Sequence, residues 1–141
     1  MDTSKKILDD YLEKLFVFCK FNDLDSLKKS IYTSISIDEK HSKFGWSLLS
    51  VSSYHHSIDV VKYLIENGAN INSQNNNGTT VLMFAKSKVK DKENLYLLDY
   101  LIEKGADLYL KDNFGKDIFY YVNETGNLTL IDYFISLSKK Y

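Results

Sequence analysis

The side chains that most often do chemistry are few in this chain and badly spaced for it. His55 and His56 are adjacent. Neighbours on a helix point in different directions, so the pair does not converge on a metal and reads as a helix end beside a loop. Cys19 lies on an apolar stripe, the place of a core thiol rather than a nucleophile. Asp9-Asp10 and the Asp23/Asp25 pair read as solvated or capping carboxylates, because nothing in the sequence sets two of them across a cleft. No phosphate loop, Walker-type lysine or dinucleotide glycine pattern occurs. We therefore assign no catalytic, cofactor-binding or metal residue and expect a protein that is not an enzyme.

Composition points the same way. The chain has 141 residues, 44% of them hydrophobic, enough for one domain over 1–141 with a continuous core. The formal net charge is −1, which gives no global pull towards nucleic acid or membrane. All 18 cationic side chains are lysine, so the bidentate phosphate clamp that arginine supplies is missing. A single cysteine cannot make an internal disulfide and suits a reducing compartment. Charges at Asp2, Lys5, Lys6, Asp9 and Asp10 leave no visible signal peptide, and no apolar run approaches the roughly 18 residues of a spanning helix. A cytoplasmic protein, monomeric when free, is expected.

The elements that must position any site are short helices. Gly45 to Asn72 reads GWSLLSVSSYHHSIDVVKYLIENGANIN, with Leu49, Ile58, Val60, Val61, Leu64 and Ile65 at the three-and-four spacing of a helical stripe. Asn67-Gly68 supplies the stop. Such short helices are marginal alone and need neighbours. The same pattern supplies them. Gly78 follows Gly45 by 33 residues, Gly78 to Ala85 repeats the apolar placement of Gly45 to Ser52, and Leu101 to Asp107 repeats Leu64 to Asn70. A further copy opens at Gly115 and keeps Gly126-Asn127, Leu130-Ile131 and Phe134-Ile135. Periods of this length mark stacked arrays in which no unit buries its own apolar face.

On these residues the chain resembles ankyrin repeats, whose pattern is roughly D-x-x-G-x-T-P-L-H-x-A-A-x-x-G-H-x-x-I/V-V-x-x-L-L-x-x-G-A-x-x-N. The matches are Gly45, Leu49, Val60, Val61, Leu64, Ile65, Gly68, Ala69 and Asn72, then Gly78, Thr80, Leu82, Ala85, Leu101, Ile102, Gly105 and Ala106, then Asp112, Gly115, Gly126, Leu130 and Ile131. The T-P-L-H stretch departs, reading Ser47-Leu48-Leu49-Ser50, Thr80-Val81-Leu82-Met83 and Asp117-Ile118-Phe119-Tyr120. The family's helix-start proline and its Thr–His hydrogen bonding are therefore absent. The resemblance implies an all-α solenoid with short β-hairpin-like turns between repeats. We divide it into an N-terminal capping repeat over 3–41, a second repeat over 42–74, a third over 75–111 and a C-terminal capping repeat over 112–141. Helices are expected near 4–19, 24–32, 47–54, 58–66, 80–88, 95–103, 117–123 and 128–137, the first N-capped by Thr3 or Ser4. Residues 35–44 and 70–78 should form projecting turns. Gly68 to Gly105 spans 37 residues, so four are inserted within Lys86 to Glu93, either a tolerated loop extension or a basic prong.

The resemblance also implies where a partner sits: on the turn tips and the exposed edge of each first helix. Those positions are His41, Lys43, Phe44, Trp46, Tyr54 and His55, then Gln74, Asn76, Asn77, Thr79, Ser87 and Lys88, then Lys111, Asn113, Phe114, Lys116, Glu124 and Thr125. Exposed aromatics are the usual anchors of binding, although some of these could fold inward to replace the missing T-P-L-H packing. The partner expected is another protein, such as a toxin neutralised by a bacterial immunity protein, or a target recruited by an adaptor. The lysine-rich 86–93 stretch is the one feature that favours a nucleic-acid-binding or enzymatic role.

Overall fold

The structure is a computed structural model that describes residues 2–141. It contains, among the described residues, eight α-helices and no named strand: α1 (Thr3–Lys20), α2 (Leu24–Ser30), α3 (Leu48–Tyr54), α4 (Ile58–Glu66), α5 (Val81–Ala85), α6 (Tyr96–Glu103), α7 (Ile118–Glu124) and α8 (Leu128–Lys140). They pair in chain order, and the first helices stack, with α3 against both α1 and α5 and α5 against α7. The helical solenoid implied by the sequence is the architecture found.

Local chemistry explains each boundary. The first helix is capped by Asp2, whose carboxylate accepts the Ser4 N–H at 3.0 Å, rather than by Thr3 or Ser4. The second stops at Ser30, short of the expected residue 32, because Ile31 turns extended and the Tyr11 hydroxyl accepts the Tyr32 N–H at 2.8 Å. Ser47, Thr80 and Asp117 occupy one place in the repeat and cap α3, α5 and α7 in turn. Ser47 and Ser50 form a reciprocal box, with N–H to hydroxyl distances of 2.9 and 3.2 Å. That box does the local work left undone by the absent Thr–His pair.

Helix ends repeat as well. The Ala69 N–H reaches the Leu64 carbonyl at 2.9 Å and the Gly68 N–H reaches Ile65 at 3.1 Å, with the same pair from Ala106 and Gly105 to Leu101 and Ile102. After α1 and α3 the left-handed position falls instead to Asn22 (φ 54°) and His56 (φ 53°). Asn22 repays its backbone cost by donating to Asp59 at 3.0 Å and accepting the Val60 N–H at 3.1 Å. His56 makes its ring bond to the Ala85 carbonyl at 2.5 Å.

Leu64 and Leu101, which correspond in the repeat, are both fully buried in one continuous core that also holds Leu12, Leu27, Leu49, Leu82, Leu98, Ile118, Leu130 and Phe134. The turns between helix pairs are hairpin-like, but the only antiparallel bridge among the described residues is Gln74 with Thr80. Their tips are linked edge to edge. Asn76 donates from its backbone to Phe44 O (3.1 Å) and from its side chain to Lys43 O (3.0 Å). Asn113 does the same to Asn77 O (3.0 Å) and Asn76 O (2.8 Å). This packing is tight enough to require glycine: a Cβ on Gly78 (φ 77°) would stand 2.7 Å from the Asn113 nitrogen.

The insertion shortens a helix. Instead of running to residue 88, α5 ends at Ala85 and gives way to 3-10 turns at Lys86–Lys88 and Lys92–Asn94. Val89 between them is buried, and its carbonyl accepts from the Asn127 side chain at 3.2 Å. The lysines do not form one prong. Lys88 and Lys86 lie over the rings of Tyr54 (5.2 Å) and Tyr121 (5.8 Å), whereas Lys92 lines a separate cleft with Leu95 and Leu128.

Candidate protein-binding face

Because α3, α5 and α7 lie side by side and the tips join next to them, residues far apart in sequence share one face. Phe44, Trp46 and Tyr54 are 41%, 36% and 39% exposed, so none of the three has folded inward. Phe44 and Trp46 stack with ring centroids 4.5 Å apart, and Lys43 lies 5.0 Å over Phe44. Tyr54 meets His55 edge-on at 4.9 Å and Phe84 at 6.4 Å. Between the two aromatic groups opens a pocket of about 400 Å³ lined by Trp46, Ser50, Val51, Tyr54, His55 and Phe84.

His41 sits differently from its expected place at the face. It is buried beneath Phe44, stacked on it at 6.0 Å, with Nε2 2.9 Å from Glu13 and Nδ1 accepting the Lys43 N–H at 3.2 Å. The ring is a strut. Asp9 reinforces it by accepting the Ser42 N–H at 2.8 Å and the Ser42 hydroxyl, which together hold its carboxyl below the ordinary carboxylate range. The long first helix thereby fixes the loop that carries Phe44 and Trp46.

The other sequence-derived positions divide by use. Asn76, Asn77 and Asn113 are exposed but committed to the tip-to-tip bonds. Gln74 donates to Gly78 O (2.8 Å) and Lys111 O (3.0 Å), and the Thr79 N–H is held by Asn75 (2.8 Å). Thr125 caps its own helix end through Val122 O at 2.6 Å. Lys88, Ser87, Phe114 (68%) and Glu124 are exposed, and Phe114 stands on its own tip, outside the pocket lining. Lys116 lies 4.2 Å over the Tyr120 ring.

Sequence reasoning passed over Ser50, Val51, Phe84 and Tyr120. The signal was present in the register: Val51, Phe84 and Tyr121 occupy one place in the repeat, and Ser50, Met83 and Tyr120 the next-door one. How far each turns outward, from buried Ser50 to exposed Tyr120, depends on helix rotation, which spacing alone does not give.

Electrostatically the pocket is apolar with a cationic rim. Partial burial, then the charges of Lys88 and Lys20, hold the His55 imidazole below its usual pKa, so it is neutral at neutral pH. Burial likewise pulls Lys86 down. The Cys19 thiol, fully buried, is pushed up to about 12. Among the described residues no cluster of His, Cys, Asp and Glu could hold a metal. The arrangement is suited to gripping a side chain.

The family model described as Ankyrin repeats (3 copies) matches residues 15–112, more than half of the chain. The chain belongs to the ankyrin-repeat family, whose repeats are modules for protein–protein interaction. No curated protein matches it. No helix of the described residues is long and apolar enough to cross a membrane.

Proposed function

We propose that this protein is a non-enzymatic, stoichiometric binder that acts in the cytoplasm by covering another protein, as a bacterial immunity protein covers its toxin. The whole chain, 1–141, serves as one domain in the four repeats bounded at 3–41, 42–74, 75–111 and 112–141. Partner contact centres on Phe44, Trp46, Tyr54 and Phe114, with His55 beside them and Lys43, Lys88 and Lys116 at the rim. Asn76, Asn77, Thr79 and Asn113 contribute mainly by holding the tips.

One observation supports this reading: Trp46 and Tyr54, each more than a third exposed, line a concave apolar pocket together with Phe84, and the exposed Phe44 stacks on Trp46 beside it. Aromatic anchors at such places dominate the energetics of most interfaces. The test is a paired pull-down in which wild-type protein and Trp46→Ala serve as baits against lysate of the native cell. A partner retained by the first and lost by the second supports the face, and neutralisation of that partner's toxicity supports inhibition. A partner held without inhibition supports the adaptor role. Equal retention by both baits removes the face.

A further inference from the structure

The pocket is walled by Trp46, Val51, Tyr54 and Phe84, with His55 and Ser50 as its polar groups. Its volume, about 400 Å³, lies near the lower end of the roughly 300–1,000 Å³ typical of ligand clefts, the scale of a side chain with its flanking backbone. No lining residue carries a carboxylate. What stands beside the lining is cationic: Lys88 over Tyr54 at 5.2 Å, and Lys43 at 5.0 Å over Phe44, which itself stacks on Trp46.

These facts decide between occupants. Aromatic walls suit an ammonium or guanidinium in principle. Here Lys88 already lies over Tyr54 and Lys43 over the neighbouring Phe44, so a cationic guest would meet like charge, and no lining residue carries a carboxylate to neutralise it. A nucleic-acid strand is also disfavoured. Tyr54 and Phe84 meet at 86°, which closes a corner instead of offering a platform for successive bases, and Phe44 and Trp46 are stacked on each other. The chain has no arginine to fork a phosphate. An apolar side chain fits the walls, and carboxylates fit the rim.

Resting on the reading of this face as the binding surface, we propose that the Trp46–Tyr54–Phe84 pocket takes one large apolar side chain from an acidic segment of the partner, whose carboxylates pair with Lys88 and Lys43. The apolar anchor supplies most of the affinity, and the lysines steer association and fix register.

The test pans a phage-displayed random-peptide library on the immobilised full-length protein, with Trp46→Ala, confirmed folded by circular dichroism, as the counter-target. The most enriched peptide is synthesised and titrated against wild type, Trp46→Ala, Lys88→Gln and Lys62→Ala at low and high salt, with oligo-dT as competitor. The expected winners carry a Leu, Ile, Met, Phe or Trp flanked by Asp and Glu. Trp46→Ala should weaken them by on the order of 10-fold or more. Lys88→Gln should cost several-fold and flatten the salt dependence, and Lys62→Ala should change nothing. Winners that need Trp46 but are basic or uncharged overturn the acidic-segment proposal and leave the face intact. Winners that ignore Trp46→Ala but lose affinity on Lys62→Ala overturn both. Displacement by oligo-dT, or no enrichment over the counter-target, overturns the proposal in favour of a nucleic acid or of no linear segment.

Discussion

Replacing Gly78 and Gly115 by alanine separates two costs that usually travel together. Both glycines hold left-handed backbone, with φ of 77° and 74°. An alanine there costs about 1–2 kcal/mol in the folded state, offset by roughly 0.4–1 kcal/mol from the stiffer unfolded chain, which leaves about 1 kcal/mol. For Gly115 that is the whole cost, because an added Cβ meets nothing within 4 Å. At Gly78 the Cβ would stand 2.7 Å from the Asn113 nitrogen and 2.9 Å from the Asp112 Cα, both backbone atoms that do not swing aside. Relief requires the tips to separate, which lengthens the Asn113 bonds to Asn77 O (3.0 Å) and Asn76 O (2.8 Å). At about 0.5–1 kcal/mol net for each, Gly78→Ala should cost about 2–3 kcal/mol in all. Urea unfolding followed by circular dichroism reads the difference as a gap of roughly 0.5–1 M between the two midpoints. Equal midpoints for the two variants would show that the tip-to-tip linkage carries no stability.

Truncating either corresponding core residue, Leu64→Ala or Leu101→Ala, should destabilise by about 2–5 kcal/mol in the same assay, since both side chains are fully buried. Asn22→Ala removes two hydrogen bonds but keeps the strained φ of 54°, so it should cost more than Asn22→Gly, a ranking that thermal melts resolve. Cys19 and Tyr121 both have folded pKa values raised to about 12, the thiol by burial and the phenol by its bond to Asp112. The unfolded chain therefore loses these protons first. Their stabilisation is complete below about pH 9 and disappears as pH rises towards about 12, so the urea midpoint should fall across that window. Tyr121→Phe should flatten part of the fall, and a midpoint constant across the window would contradict the assignment. At about pH 8 a disulfide reagent should modify Cys19 only as fast as the protein opens, which stopped-flow absorbance against urea concentration measures.

Much of this molecule is legible before folding, and the residues show why. Leu64, Leu101 and the glycines after them recur at fixed spacing because one packing problem is solved several times, so periodicity locates the core and the helix stops. Where a residue works by local rule, as Ser47, Thr80 and Asp117 do at the helix starts, the sequence also marks the place. His41 escaped because its partner, Glu13, lies 28 residues earlier and only the stacking of α1 on α3 brings them together. His56 escaped because the left-handed position after α3 is stabilised by a bond to Ala85 in the next helix pair, not by glycine. Phe84 was in the register, yet its aim into the pocket depends on the rotation of a five-residue helix that the insertion cuts short.

Calorimetric titration of the natural partner tests most directly whether the face that bears Trp46 is the binding surface. Wild type is compared with Trp46→Ala, Lys116→Ala and Lys62→Ala, each confirmed folded by circular dichroism. Lys62 is the control because it lies over Tyr96 and Tyr100 of α6, away from the pocket. The expected losses are about 2 kcal/mol or more for Trp46→Ala, a smaller and salt-dependent loss for Lys116→Ala, and none for Lys62→Ala. Equal affinity for all three variants, or a loss confined to Lys62→Ala, would rule that face out as the binding surface.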